Sequence, residues 1–247
     1  LMLALECGGS DTTSGIAANP ALGKAADMVV KAGGTVILAE TLELIGTQRV
    51  LARRAVDEKA ARQIMKVIGK MEERMTEAFP VPVPLLTPGN VQGGLTTVEE
   101  KSLGDSYKAG TSPIQGVLEY AQTPKKKGLW IMDEVGYDPE SVTGMVAAGA
   151  QVVAFTTGLG TPSTFPIAPV TMITGNPTTY GKLKDDIDIN AGTIIEGKEA
   201  IDDVGKRIYD EILAVASGKA TKTDALGHRG SFAIYWPWPI PKEKLSK

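Results

Sequence analysis

The one cysteine of this chain, Cys7, stands in the stretch ECGGSDTTSG at residues 6–15, directly behind an apolar run. A structural turn needs one or two glycines and gains nothing from a thiol. Loops at strand ends are where α/β proteins put binding and catalytic groups. A lone cysteine forms no internal disulfide, so Cys7 is free to be a buried packing thiol, a metal ligand or a thiolate. A second stretch, TPGNVQGGLTTVEEKSLG at residues 87–104, combines glycines that let backbone approach a ligand with Thr96 or Thr97 as a helix cap. Glu99, Glu100 and Lys101 then fall in the first turn of that helix, beside an N-terminus suited to a carboxylate or phosphate. The same pattern describes a capped surface helix with solvated charges, and spacing alone leaves both readings open.

Three other patterns fail on mechanism. GLGTPS at residues 158–163 follows an apolar run like a dinucleotide fingerprint, but its third glycine is missing and Pro162 and Pro166 interrupt the helix that should open there. This argues against a nicotinamide cofactor. DDIDINAG at residues 185–192 alternates Asp186, Asp188 and Asn190 like a calcium loop, yet Ala191 replaces the required Gly and Gly197 stands where the bidentate Glu belongs. A capped turn is the simpler reading of those acids. His228 is the one histidine, which is a poor basis for a His-ligated metal site.

The elements that must hold these residues alternate. Short β-branched runs read as strands at 1–6, 35–40, 128–133, 151–157 and 170–174, with helical patterns near 15–32, 41–54, 57–78, 96–109, 140–149 and 200–217. That order predicts a mainly parallel, Rossmann-like α/β sheet flanked by helices. Ile64, Val67, Ile68, Met71 and Met75 recur at helical spacing and read as core. AGGTVILAET at 32–41 and AGAQVVAFTT at 148–157 echo each other, which a duplication into two related halves would explain. FPVPVPLLTPGN at 79–90 has four prolines and reads as an extended connector. It divides the chain into an N-terminal half, 1–86, and a C-terminal half, 87–247. The two Trp of the tail YWPWPIPKEKLSK are expected to pack that end onto the body.

Composition limits the partners. The formal net charge of -3 supplies no basic field for nucleic acid. No apolar run approaches the roughly 18 residues that span a bilayer, and LMLALE is not a signal peptide. A reducing cytoplasm is the expected compartment. The chain lacks Met at position 1 and opens inside a strand pattern, so it is expected to be a piece of a longer polypeptide.

Six segments, "CGGSD..SG..ANPA.G", "GGTVILAETLE", "PGNVQGGLTTVEEKSLG...KAGTSPI", "FTTGLGTP", "DINAG" and "ALGHR", together resemble, in that order, the C-terminal half of the altronate and galactarate dehydratase family. The resemblance implies a hydro-lyase acting on sugar acids with a divalent metal, typically Fe2+. It also implies an N-terminal sugar-acid-binding module ahead of this region, and it leaves room for a homo-oligomer. On this reading Cys7 and Glu40, at the ends of two strands, lie at the metal, since thiolate suits iron and a carboxylate completes a mixed set. Asn90, Gly93, Gly94 and Thr96, with Thr157 and Gly158, would bind substrate. Glu100 or Lys101 would be the acid or base, and the sequence does not choose between them. Cys7 as a simple packing thiol stays open.

One departure bears on specificity. The family commonly reads FTTGRGTP where this chain has Leu159. Arg would be a natural bidentate partner for a carboxylate and Leu is not. A substrate with one acidic group is therefore expected, unless another Arg or Lys takes that role. The same family includes sulfolactate sulfo-lyase large subunits, which eliminate sulfite and are the nearest alternative. A different class of alternative is a non-catalytic scaffold domain.

Overall fold

The computed structural model describes residues 1–78, 86–233 and 235. Its elements run β1 (Met2–Cys7), a π-helical stretch (Ser14–Ala18), α1 (Asn19–Lys31), β2 (Thr35–Leu38), a 3-10 stretch (Thr41–Leu44), α2 (Gln48–Ala52) and α3 (Glu58–Ala78). There follow α4 (Pro88–Gln92), α5 (Val98–Tyr107), β3 (Ile114–Leu118), β4 (Gly128–Met132), α6 (Asp138–Ala147), β5 (Val152–Thr157) and β6 (Val170–Thr174). The chain closes with α7 (Pro177–Lys182), β7 (Ile189–Asn190), α8 (Ile201–Ala216) and α9 (Lys222–Ala225). The strands form one seven-stranded sheet in the order β3-β4-β2-β1-β5-β6-β7, and every pairing is parallel. The expected mainly parallel α/β fold is therefore present.

The strand period of two explains how the sheet is covered. Leu3, Leu5, Val36, Leu38, Val152 and Ala154 face a core built with α1, α3 and α8. Ala4, Ile37, Ala39, Val153 and Phe155 face the other core, with Val142 and Met145 of α6. Strands buried on both faces read as continuous apolar runs, as β1 and β5 do. Ile64, Val67, Ile68, Met71 and Met75 all lie in the first core. Gly104 and Gly15 meet face to face: a Cβ on Gly104 would fall 2.9 Å from the Gly15 Cα, so α5 and the π-helical stretch touch by backbone.

The connections set the place for a site. From β1 the chain moves to β2 on one side, and from β5 to β6 on the other, while β1 and β5 are neighbours. Open α/β sheets bind ligands in the crevice outside such a topological switch point. The loops after β1 and β5 leave the same carboxyl edge and touch, with Gly158 N–H and Leu159 N–H donating to Gly9 O at 3.1 and 2.9 Å.

Some expectations need correction. Residues 87–90, expected to be extended, turn into α4, because Pro88 at the first helical position lacks only an N–H that needs no intrahelical partner, and Thr87 caps the turn. The rest of that connector, 79–85, and both tail Trp lie outside the described residues, although Tyr235 stacks on Tyr120 at 4.3 Å between ring centroids. The helix expected at 41–54 is broken at Gly46, whose φ of +90° is left-handed. Strands β2 and β1, from the first half of the sequence, pair with β4 and β5 from the second, so one sheet runs across position 86.

Candidate active site

Side-chain alternation puts Cys7 and Glu6 on opposite faces of the sheet. Cys7 falls on the α1 face, in register with Glu40, which follows β2. Helix α5 brings Lys101 and Asp105 to the same place, and Lys108 comes just past its end. That spacing of four and three is one helix face. Asn19 opens α1 and pins this arrangement: its Oδ1 accepts from Thr156 Oγ1 at 2.6 Å and its Nδ2 donates to Gly104 O at 3.1 Å.

The result is a dense buried cluster. Cys7 Sγ lies 3.2 Å from Asp105 Oδ1, 3.5 Å from Glu40 Oε1 and 3.7 Å from Glu43 Oε2. Lys108 Nζ donates to Cys7 Sγ at 2.8 Å and pairs with Glu40 Oε2. Lys101 Nζ pairs with Glu43 Oε1 at 2.6 Å. Glu40 sits at φ +66°, a left-handed conformation that costs a non-glycine residue about 1–2 kcal/mol, and its N–H donates to Glu134 Oε1. Strain of this kind collects where geometry serves a site.

Charge is unbalanced here. Three carboxylates and a thiol face two ammonium groups, all buried or nearly so. Burial pushes the Cys7 thiol well up, with Asp105 and Glu40 adding to it and Lys108 opposing. Burial likewise raises Glu40 well above the usual carboxylate range against the pull of Lys108. Asp105 is pushed up to about 8 by burial and by Glu43. Glu43 behaves differently: burial works against its charge, but Lys101, the neighbouring Asp105 carboxyl and Lys108 outweigh it and hold it at about 2. Burial also opposes the charge on Lys108 and Lys101, yet their acidic neighbours keep both pKa values above the ordinary lysine range.

One oxygen of each of Glu40 and Glu43 and the Cys7 sulfur lie within 4.8 Å of one another, close enough to converge on a single cation. Asp105 Oδ2 is buried and has no hydrogen-bond partner among the described residues. A thiolate with carboxylates is a donor set that a divalent transition metal fits.

On the α6 face, Glu6 is fully buried and, among the described residues, neither of its carboxylate oxygens has a partner. Burial, then Glu40, Glu134 and Asp138, raise its pKa well above normal. Asp138, at the start of α6, is pushed up to about 6 by burial and by Glu43. It touches Gly8, where a Cβ would fall 2.3 Å from its Oδ2, and it lines a cavity of about 560 Å3 at the carboxyl edge.

The structure therefore joins Cys7, Glu40 and Lys101 in one cluster. Glu100 lies outside it: exposed, it accepts from Thr96 N–H at 2.8 Å and Thr96 Oγ1 at 2.7 Å, which lowers its pKa. Asn90 donates to Ser10 O at 2.8 Å, and Gly93 and Gly94 pack on Asp11 and Thr12, so all three meet the loop after β1. Thr157 Oγ1 accepts from Gly160 and Thr161 N–H and shapes the loop after β5. Gly158 lies flush on Asp11, where any Cβ would fall 2.1 Å from its carboxyl carbon. Asp11, in turn, ties the loop after β1 to the loop after β6 by accepting from Thr13, Ser14 and Asn176. Asp188 accepts from Met172 and Lys222 N–H, as a turn-capping acid does.

Sequence reasoning did not reach Glu43, Asp105, Lys108, Glu134 or Asp138. The spacing of Lys101, Asp105 and Lys108 along a helix was a readable signal, as was an acid directly after β4.

A doubly wound parallel sheet with ionisable groups gathered at its switch point defines an α/β ligand-binding domain. More specifically, the chain belongs to the family described as D-galactarate/Altronate dehydratase, C-terminal, which matches residues 1–239. It is 37% identical to the galactarate dehydratase (L-threo-forming) of Escherichia coli (strain K12) over 241 residues, 97% of this chain and 46% of that protein. It is 37% identical to the altronate dehydratase of Bacillus subtilis (strain 168), covering 89% of this chain and 44% of the relative. The (2R)-sulfolactate sulfo-lyase subunit beta of Chromohalobacter salexigens is 34% identical, covering 93% of this chain and 60% of the relative. The chain thus spans about half the length of the relatives it matches. No helix among the described residues is long and apolar enough to cross a membrane.

Proposed function

We propose that this chain is the metal-bearing part of a hydro-lyase that removes water from a sugar acid of the galactarate or altronate type. The observation that supports it best is the convergence of Cys7, Glu40 and Glu43, one donor atom of each lying within 4.8 Å of the others, with Asp105 against the thiol. In this reading Cys7, Glu40 and Glu43 hold a divalent cation, iron being the choice that a thiolate suits. The cation supplies Lewis-acid polarisation of the substrate's carboxylate and hydroxyl groups.

The chain's own residues do the rest. Elimination β to a carboxylate needs a base for the α-proton and an acid for the departing hydroxide. Asp138 lines the cavity and ionises at about 6, so near neutral pH it is a carboxylate able to take that proton. Lys101 stays protonated beside Glu43, which suits it to stabilise developing negative charge or to give a proton, and unsuits it as the base. Of the two candidates named from sequence, Lys101 lies with the cluster and Glu100 at the surface. The N-terminal sugar-acid-binding module that the resemblance implies would complete substrate capture.

The test is a panel of galactarate, altronate and sulfolactate, with Fe2+ under reducing conditions, on the protein carrying this chain and on its Asp138→Asn variant. Turnover lowered about 10²–10⁴-fold by the substitution, with the acidic limb near pH 6 lost, is the expected result. No turnover of any panel member by the unaltered protein would refute the reading. Sulfite released from sulfolactate, with no sugar acid consumed, would establish the second reading, which the sulfo-lyase relative favours.

A further inference from the structure

The cavity beside Asp138 has a feature that the elimination chemistry does not use. Asp138, Thr161, Ser163, Thr164, Arg229 and Ser231 contribute to its wall, and its volume of about 560 Å3 is that of a small-molecule site. Arg229 is the one arginine or lysine among the residues that line it. Among the described residues its guanidinium has no hydrogen bond or ion pair. A guanidinium is a planar fork of donors built for carboxylates and similar anions.

The backbone on both sides of Arg229 is fixed. His228 N–H donates to Thr223 O at 3.0 Å, and its Nε2 lies 3.7 Å from Asp186 Oδ1. Gly230 is pressed onto the loop after β5: a Cβ there would fall 1.8 Å from Thr164 O. The segment is therefore held over the cavity with Arg229 between two anchors. The floor reaches Gly8 through Asp138, one residue from Cys7. Thr161, Ser163, Thr164 and Ser231 bring hydroxyl-bearing side chains to a wall that Tyr137, Val142 and Phe165 share, a mixed lining that can take both the hydroxyls and the carbon chain of a polyhydroxylated acid. Leu159 is not part of that wall. Its side chain lies toward Gly89 and Gly9, 3.1 and 3.4 Å from where Cβ atoms would be.

We propose that Arg229 binds the remote anionic group of an acyclic polyhydroxy acid whose reacting end lies toward Cys7, so that the site prefers dianionic substrates over monoanionic ones. The assignment deepens the hydro-lyase reading and rests on it for where the reacting end lies. It supplies, from another part of the chain, the arginine that position 159 lacks.

The experiment compares the protein with Arg229→Gln and Arg229→Lys, measuring kcat/KM on galactarate and altronate and calorimetric binding of galactarate and sulfolactate. A charge-assisted hydrogen bond contributes roughly 1.5–3 kcal/mol, so Arg229→Gln should lower the galactarate-to-altronate ratio about ten- to hundredfold. The loss should appear mainly in KM, and Arg229→Lys should recover part of it. An unchanged ratio in the Gln variant overturns the proposal. If the unaltered protein turns over no substrate, the hydro-lyase reading falls and binding decides this one. Galactarate or sulfolactate affinity weakened at least tenfold by Arg229→Gln supports it. Unchanged affinity, or no binding to the unaltered protein, overturns it. Which dianion binds more tightly tells carboxylate from sulfonate.

Discussion

Two regions meet at the carboxyl edge of β1 and differ in nearly every physical respect. On the α5 side, Cys7, Glu40, Glu43, Asp105, Lys101 and Lys108 are packed out of water with their charges in contact. On the α6 side, the cavity is open, its wall mixes Ser and Thr with apolar and aromatic side chains, and its arginine is exposed. Adjacent residues of one strand point to the two sides, Cys7 to the α5 side and the buried Glu6 to the α6 side, because a strand sends neighbours to opposite faces. The first region is organised before any ligand arrives and destabilises the fold it sits in, since buried carboxylates are costly unless matched. The second is organised for exchange with solvent. On the proposed reading the α5 face would hold the cation, while the α6 face would carry the base Asp138 and the capture site, a division that substitutions can break.

The largest effect should come from Lys108→Met. Lys108 is among the largest side chains with no exposed surface, and it is in contact with both Cys7 and Glu40. Removing one partner of a buried pair typically costs about 3–5 kcal/mol, because the other charge is left unmatched. Denaturant unfolding should show that loss, and an equivalent substitution in the cavity, Arg229→Met, should show far less. Equal stability of Lys108→Met and the unaltered protein would mean that the carboxylates around it are already neutral, and the contrast between the regions would collapse.

A smaller effect sharpens the same contrast through pH. Asp105 and Glu134, held at about 8 and about 7, bind protons more tightly folded than unfolded, where carboxylates titrate near about 4. Their contribution is present in full at about pH 4 and is lost as pH rises toward about 8. Glu43, held at about 2, works in the opposite sense and loses its contribution only as pH falls below about 4. Without a divalent cation, the melting temperature should therefore decline steadily between pH 5 and pH 8. Added cation competes with the protons that burial keeps on its ligands Cys7 and Glu40, so the stabilisation it gives should grow with pH. A melting temperature flat across that range would show that the cluster carries no such protons.

The sheet was far more legible than the site, and the reason is the range of the signals. Strands β1, β2, β4, β5 and β6 announce themselves by local apolar runs, and each appears where its run lies. Edge strand β3 escaped notice because Gly116, at φ +152°, interrupts its run and its pairing with β4 shifts register there. Two-residue β7 has no run at all. Cys7 and Glu40 were recognisable as strand-end residues, and their meeting follows from parallel neighbours in register. Glu43, Asp105 and Lys108 join them through helix placement and a left-handed turn at Glu40, which no local pattern encodes. In the 87–97 stretch the glycines and Asn90 read as open to a ligand. The structure fills those same surfaces with the loop after β1, since glycine signals close approach without saying of what.

The smallest expected effect, from Leu159→Arg, decides whether the two regions divide their work as described. Leu159 is 45% exposed, its N–H is held by Gly9 O, and its side chain rests over Gly89, apart from the cavity. An exposed substitution of this kind usually changes stability by no more than about 0.5 kcal/mol. The added guanidinium would stand near the loop after β1, where it could draw a second carboxylate toward itself. The galactarate-to-altronate ratio of kcat/KM should therefore rise, but by less than Arg229→Gln lowers it, because discrimination follows differential transition-state binding and the cavity wall carries Arg229 and not Leu159. The double variant Leu159→Arg with Arg229→Gln separates the routes. If the ratio returns fully to that of the unaltered protein, the remote acid group binds on the Gly89 side as readily as over the cavity. If it stays low, the face that carries α6 alone selects the substrate, and the α5 face is left to holding the cation.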